Sequence, residues 1–230
     1  MSIQELYQQF IGGIKNTTAL EYIAVFAGIA SVWFSRIENI LVYPIGLIST
    51  IIYSYISFKY HLIGEATVNF YYTVMSIYGW ILWAKKDEQQ HHVVVISYSN
   101  RKEWLQQLGF FFVLYLAFFF SLTYLKDAFF SGVIPWGDSF ATATAFTGMW
   151  LMAKKKVESW YWWIATNIAS IPLYFFKHLV FTSVLYLVLL FMAFWGLIEW
   201  KRRAEKEAVP KDILTAKNTE DSQRNTKENI

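Results

Sequence analysis

The chain has no cysteine among its 230 residues, only four prolines and few charged residues. The absence of cysteine excludes disulfide bonds, thiolate nucleophiles and cysteine metal sites. Charged residues make up 16% of the chain, whereas hydrophobic residues make up 56% and aromatic residues 20%. A soluble domain rarely has this balance. We therefore expect a protein that is embedded largely in lipid.

Common enzyme motifs are also missing. The sequence contains no P-loop, no GxSxG and no HExxH. His91 and His92 stand in a polar stretch without carboxylates at ligand spacing, which favours a surface role over a metal site. We predict a protein that is not an enzyme and has no catalytic residue, cofactor or metal. An integral-membrane enzyme or a non-transporting membrane sensor is the distant alternative.

Long apolar runs predict helices that cross a membrane. A helix needs about 20 apolar residues to span a hydrocarbon core of about 30 Å. Helices suit lipid because they satisfy their own backbone hydrogen bonds. We predict an all-α integral membrane protein with seven transmembrane helices. The predicted spans cover residues 20–34, 37–58, 66–84, 108–125, 139–153, 159–176 and 179–200.

Lys and Arg are distributed unevenly between the two sides of these spans. Sixteen of the 20 follow the first, third, fifth or seventh span, and four lie on the opposite side. The positive-inside rule places the C-terminus in the cytoplasm and the N-terminus outside. Basic residues beside a membrane span are ordinary, so we predict no nucleic-acid partner.

The chain repeats itself at a distance of 117 residues. The aligned pairs include Trp33 and Trp150, His61 and His178, Gly79 and Gly196, and Trp83 and Trp200, with no gap. The repeat relates the first three spans to the last three, with the fourth between them, as a parallel duplication of three plus one plus three helices. Parallel repeats are typical of transporters, which bind substrate near the midplane between the halves.

The repeat and the two chain ends divide the sequence into six parts. Apolar side chains at helical spacing near the N-terminus predict an amphipathic helix on the outer interface. The C-terminal stretch is polar and lacks periodicity, which predicts a flexible tail. The parts are an interfacial helix (1–18), the first three-helix repeat (19–86), a polar cytoplasmic loop (87–107), a linker transmembrane helix (108–127), the second three-helix repeat (136–203) and a flexible cytoplasmic tail (204–230).

The sixth predicted span places polar side chains beside aromatic rings. At about 100° per residue, Trp160, Trp163, Asn167 and Ser170 share one face, and Thr166 lies at its margin. An unpaired amide at the depth of Asn167 costs several kcal/mol, so it requires another helix, water or a ligand. Interhelical packing is the alternative explanation. Beside two indoles, the amide favours a flat polar ligand.

The third span has a comparable stripe of residues that lie within about 80° of one another, namely Asn69, Tyr72, Ser76, Trp80 and Trp83. For Ser76 we favour helix packing, whereas Asn69 and Tyr72 are equally well explained as ligand contacts. The first half does not repeat the side chains of Trp160 and Asn167, which indicates one asymmetric site. The centres of the spans hold no ionisable residue, which favours facilitated diffusion over ion-coupled transport.

Three runs, VESWYWWIATNIAS, YGWILW and WGLIEWKRR, together resemble the PnuC-type vitamin transporter family. The first carries the pattern W-x-x-W-x-x-x-N at Trp160, Trp163 and Asn167. The resemblance covers about residues 21–203. It implies a SWEET-like fold, a homotrimer, and facilitated diffusion of nicotinamide riboside across the bacterial inner membrane. It also implies trapping of the substrate by phosphorylation in the cytoplasm.

The resemblance implies that the ligand-facing residues include Asn69 and Tyr72 with the three residues of the pattern. The full set of candidate substrate-binding residues is Trp160, Trp163, Asn167, Asn69, Tyr72, Thr166, Ser170 and Trp150. Family members often carry Gln at the positions of Asn69 and Met149. The alternative substrate is therefore thiamine or another nucleoside-like vitamin precursor. The predicted partners are this small molecule and the lipid bilayer.

Overall fold

The computed structural model describes residues 2–60, 63–129 and 132–208, and its regular elements are α-helices. They are α1 (Ile3–Asn16), α2 (Ala19–Arg36), α3 (Val42–Lys59), α4 (Ile63–Ala84), α5 (Arg101–Phe129), α6 (Pro135–Ala153), α7 (Ser159–Phe176) and α8 (Val180–Ala208). Within these ranges, β pairing is limited to two isolated bridges, Lys86 with His92 and Ser97 with Lys156. The seven predicted spans overlap α2 to α8 in order.

Capping boxes begin the first two helices. The Ser2 side chain accepts the Glu5 N–H while the Glu5 side chain accepts the Ser2 N–H. Thr18 and Glu21 form the same arrangement at the start of α2. Each box satisfies two backbone donors that a helix would otherwise leave unpaired. The boxes therefore separate α1 from α2, and α1 turns to pack on α8.

Six helices form a closed ring. α2 packs on α3, α3 on α4, α4 on α6, α6 on α7, α7 on α8, and α8 on α2. α5 packs on α6 and α1 packs on α8, so both lie beside the ring. α3 and α7 hold opposite positions in it. The interior is consequently bordered by helices from both halves of the sequence.

Local backbone geometry recurs at the distance of 117 residues. The turns after α2 and α6 each hold one residue in the left-handed region, Glu38 at φ 59° and Lys155 at φ 52°. In both turns the following N–H donates to the carbonyl five residues earlier, at 2.9 and 3.0 Å. The repeat also aligns His61 with His178, but His61 lies outside the described residues.

Helix ends differ from the predicted boundaries in two places. α5 begins at Arg101, so residues 101–107 of the predicted polar loop are helical. α8 continues to Ala208, and the predicted start of the tail at residue 204 lies inside it. Charged residues lower hydropathy without lowering helix propensity, which explains both extensions. Residues 209–230 of the predicted tail lie outside the described part of the chain.

Three of the described helices are long and apolar enough by themselves to cross a membrane. They are Ala19–Arg36, Arg101–Leu125 and Val180–Glu207. The other ring helices contain more Ser, Thr, Tyr and Trp, which lower their mean hydropathy. A helix that packs among others can carry such side chains because they face neighbouring helices and not lipid.

An aromatic core lies at the end of the ring where α2 ends and α7 begins. Its central members are Tyr43, Trp83, Trp160 and Trp200. The Trp160 and Trp200 rings meet edge to face with centroids 5.6 Å apart. The Tyr43 and Trp83 rings do the same at 5.1 Å. Edge-to-face contacts of buried rings add about 0.5–1.5 kcal/mol each beyond the burial of area.

Each half of the core places an aromatic ring on a glycine. A Cβ added to Gly79 would overlap the Tyr43 ring, and one added to Gly196 would overlap the Trp160 ring. The two pairs are related by the 117-residue repeat. Any larger side chain at either glycine would have to displace the buried aromatic side chain that packs on it.

Replacing Gly79 with Ala tests this packing. We expect the variant to lose about 1–3 kcal/mol of stability because the core is overfilled. Gly109→Ala in α5 is the control, since an added Cβ there meets nothing within 4 Å. It should gain up to about 1 kcal/mol through helix propensity. Melting temperatures in detergent measure both effects, and equal melting temperatures would contradict the described packing.

Candidate functional site

Aromatic side chains of α4 and α7 meet inside the ring of six helices. The Tyr72 and Trp163 centroids lie 6.2 Å apart. Trp163 also packs on Gly148 of α6, where an added Cβ would lie 3.3 Å from its Nε1. The Tyr72 ring lies 6.1 Å from that of Phe146, also on α6. Tyr72 and Trp163, two predicted substrate-binding residues from different halves of the sequence, therefore lie at the same depth.

Asn167 lies one helical turn beyond Trp163 on the same face of α7. Its side chain is only 4% exposed. A buried polar group left unpaired costs about 1–3 kcal/mol. The interior is thus suited to a bound group that can pair with an amide.

Tyrosines continue this polar face beyond Ser170. The Tyr174 and Tyr186 rings stack with centroids 5.0 Å apart at an angle of 14°. The Tyr186 hydroxyl interacts with the hydroxyls of Tyr174 and Ser170. Our sequence reasoning missed both tyrosines. Tyr186 stands 117 residues after Asn69, so the repeat contained the signal that could have identified it.

Asn69 lies one turn before Tyr72 on α4 and is half-buried. Its Nδ2 donates to the carbonyl of Glu65 at 2.9 Å, within the same helix. The next turn holds Thr73, whose Oγ1 donates to Thr50 Oγ1 on α3 at 3.0 Å. We call the group of polar and aromatic side chains around the contact between Tyr72 of α4 and Trp163 of α7 the polar chamber. Its central residues are Asn69, Tyr72, Trp163, Asn167, Ser170 and Tyr186.

Two of the predicted candidates pack against neighbouring helices. Trp160 is 1% exposed and lies in the aromatic core against Gly196. Thr166 Oγ1 donates to Thr144 Oγ1 of α6 at 2.9 Å. Trp160 and Thr166 are six positions apart, which places them about 240° from each other around the helix axis, so they face different neighbours. A role in substrate binding stays a prediction for both residues.

Trp150 lies away from the polar chamber, at the end of α6. Its ring contacts that of Phe110 on α5 with centroids 5.1 Å apart. The Lys154 ammonium lies 4.1 Å from the centre of the Trp150 ring. Burial lowers the pKa of Lys154, and nearby Glu103 acts in the opposite direction. In this structure Trp150 joins α5 to α6, and its predicted contact with substrate would require a different arrangement.

Comparison with known proteins matches this chain to membrane transporters. Residues 18–202 match the family model described as nicotinamide mononucleotide transporter. The nicotinamide riboside transporter PnuC of Escherichia coli (strain K12) is 24% identical over 212 residues, covering 81% of this chain and 87% of the relative. The riboflavin/roseoflavin transporter RibM of Streptomyces davaonensis is 22% identical over 156 residues, covering 67% of this chain and 71% of the relative.

A solved structure supports the same grouping. The crystal structure of the vitamin B3 transporter PnuC superimposes with a TM-score of 0.65 at 25% sequence identity. The match covers 89% of this chain and 90% of that one. The fold is therefore that of an all-α membrane transporter.

Replacing Thr166 with Val tests whether its hydroxyl stabilises the contact with α6 or binds the substrate. We expect a loss of about 1 kcal/mol of stability, because the hydrogen bond to Thr144 disappears while the side-chain shape is kept. Thr166→Ser keeps the hydroxyl and should be less destabilised. Melting in detergent measures stability, and isothermal titration measures substrate affinity. Weaker binding without a change in melting temperature would instead make Thr166 a ligand contact.

Proposed function

The chain belongs to the nicotinamide mononucleotide transporter family, and from this membership we propose that it carries nicotinamide riboside across the bacterial inner membrane by facilitated diffusion. It is a membrane transporter and not an enzyme. The single observation that supports a substrate site is the buried Asn167 amide, which lies one turn from the Trp163 ring that meets Tyr72. Imported substrate would be trapped by phosphorylation in the cytoplasm.

The polar chamber matches the chemistry of this substrate. Nicotinamide riboside has a flat ring, a carboxamide and a polyhydroxyl ribose. Trp163 and Tyr72 offer aromatic faces for the ring. The Asn167 amide can pair with the carboxamide or a ribose hydroxyl, because it can both donate and accept hydrogen bonds. Asn69 and Ser170 lie one turn away on their helices and would complete the contacts.

The scaffold we propose is a parallel duplication of three plus one plus three helices, as in SWEET transporters. Its first repeat is α2–α4, its second is α6–α8, and α5 is the linker. The recurring turns at Glu38 and Lys155 support this division. So do the equivalent contacts of α4 with α6 and of α8 with α2, which close the ring. Rocking of the repeats would alternate access to the chamber.

The distribution of charge and apolar residues supports the orientation of the scaffold in the membrane. From it we infer an N-terminus outside, an interfacial α1 and a C-terminus in the cytoplasm. The family resemblance implies a homotrimeric assembly. The absence of native cysteine allows single-cysteine topology mapping. Glu88→Cys lies between α4 and α5, and Tyr60→Cys lies after α3. In intact cells an impermeant maleimide should label the second and spare the first. The reverse pattern would invert the orientation.

Replacing Asn167 with Ala tests the substrate site. We expect nicotinamide riboside to bind about five- to tenfold more weakly, because one buried hydrogen bond is worth about 1–1.5 kcal/mol. Binding is measured by isothermal titration, and uptake by labelled substrate in proteoliposomes. Gln106→Ala on α5 is the control, since that amide is exposed and outside the ring. Unchanged binding by Asn167→Ala with intact folding would remove Asn167 from the site.

The same titration distinguishes the alternative substrates. Thiamine and riboflavin are included beside nicotinamide riboside, because a relative of similar identity is named as a riboflavin/roseoflavin transporter. We expect nicotinamide riboside to bind most tightly. Tighter binding of thiamine or riboflavin would keep the fold and the chamber but change the substrate. No binding of any of the three would contradict a vitamin transporter.

A further inference from the structure

Two turns meet across the ring at the end that we place in the cytoplasm. They follow α2 and α6, and their left-handed residues are Glu38 and Lys155. Lys155 Nζ lies 2.7 Å from Glu38 Oε1, and the two residues are 117 positions apart. An ion pair therefore joins equivalent positions of the two halves. A left-handed conformation costs about 1–2 kcal/mol for a residue with a Cβ, so the fold holds two such residues against local preference.

Further polar contacts surround this pair. Arg203 Nη1 lies 3.1 Å from Glu38 Oε2, and Arg203 Nε lies 2.9 Å from Glu199 Oε1. The Lys155 side chain is only 6% exposed, and its ammonium lies 4.7 Å from the centre of the Trp83 ring. The pair is thus covered by α8 and α4 and is shielded from water more than a surface ion pair would be.

Indole N–H groups link the same two halves. Trp83 Nε1 of the first half donates to the Ala153 carbonyl of the second at 3.1 Å. Trp200 Nε1 of the second half donates to the Ser35 carbonyl of the first at 3.0 Å. Trp83 and Trp200 are aligned by the repeat. Together with Glu38 and Lys155 they form a two-fold layer that we call the gate layer.

The gate layer lies between the polar chamber and this end of the ring. Trp83 follows Tyr72 by eleven residues on α4, a rise of about 16 Å at 1.5 Å per residue. Trp160 lies two turns before Asn167 on α7, between the chamber and the layer. A substrate that leaves the chamber toward this end must pass through the positions that these side chains occupy.

Among the buried donors that have no partner within the described ranges, two form a repeat-related pair beside the layer. They are the Tyr43 hydroxyl and Trp160 Nε1, which the repeat places at equivalent positions. Buried donors in native proteins are usually paired with protein or water. A conformation in which water or a hydroxylated substrate enters this region would satisfy both. Among the residues that the structure describes, both donors are unpaired, and water or substrate in an opened passage could accept a hydrogen bond from each of them.

We propose that the Lys155–Glu38 pair and the two indole hydrogen bonds form the cytoplasmic gate, which is closed in this structure and separates in each transport cycle. This inference rests on the proposed function. Separated charges regain hydration, which offsets much of the lost attraction of a buried pair. The ion pair can thus be broken repeatedly at low net cost, and the Trp83 and Trp200 rings, whose centroids lie 6.2 Å apart across the two halves, would separate with it. Opening would also hydrate Tyr43 and Trp160.

Cysteine labelling tests the gate without any substrate. Ser76→Cys is a small change in the otherwise cysteine-free chain, at a buried position on α4 between Tyr72 and Trp83. An impermeant maleimide is applied from the cytoplasmic side in inside-out vesicles. We expect Glu38→Gln or Lys155→Met to raise the labelling rate about tenfold, because the open state becomes more populated. The double variant should label no faster than Glu38→Gln alone, because Lys155 then already lacks its carboxylate, whereas Glu38→Gln also removes the contact with Arg203.

Lys156→Met is the matched control. Lys156 is the next residue in the chain and pairs with Glu103 of α5 at 2.9 Å, beside the ring and not across it. It should leave the labelling rate unchanged. If a charge variant fails to fold, Trp200→Phe removes one indole N–H while keeping an aromatic ring. It should also raise the labelling rate.

The outcomes separate the gate from the substrate assignment. Faster labelling in the gate variants without binding of nicotinamide riboside would keep the gate and overturn the proposed substrate. Binding and uptake of nicotinamide riboside with labelling unchanged in Glu38→Gln, Lys155→Met and Trp200→Phe would keep the substrate and overturn the gate. An equal rise in Lys156→Met would also overturn it, because the effect would then be a general loosening of this end.

Discussion

Close packing of an aromatic ring on a glycine, once in each half, is the constraint on which the rest of the structure depends. Tyr43 on Gly79 and Trp160 on Gly196 bring the helices of each repeat together. This places Trp83 and Trp200 in the interior, where each indole reaches a carbonyl of the opposite half. A side chain larger than glycine would separate the helices, and the ring would lose its closed end.

The aromatic core and the polar chamber use the same residue types for different purposes. Trp160 and Trp163 are three residues apart in one motif, yet the first is packed in the core and the second contacts Tyr72. Trp163 has Asn167 one turn beyond it, whereas the neighbours of Trp160 are a glycine and other rings. Position along the helix therefore decides which neighbours each indole meets.

Much of the architecture could be predicted from the sequence because it is local or periodic. Apolar runs of helical length predict α2 to α8, and the two capping boxes define the ends of α1 and α2. The repeat distance of 117 residues recurs in the backbone of two turns. The candidate site was predicted less completely. Trp163 and Tyr72 do meet, but Trp150 lies against α5, and Tyr174 and Tyr186 were missed.

The sequence by itself determined the helices, their order, the repeat at 117 residues and the faces that carry polar groups. These properties depend on residues within a few turns of one another along the chain. Only the tertiary structure decided which neighbour each face meets: α6 for Thr166, α5 for Trp150 and the opposite half for Trp83. Helical periodicity gives a direction around one axis. The partner in that direction depends on contacts between segments far apart in sequence.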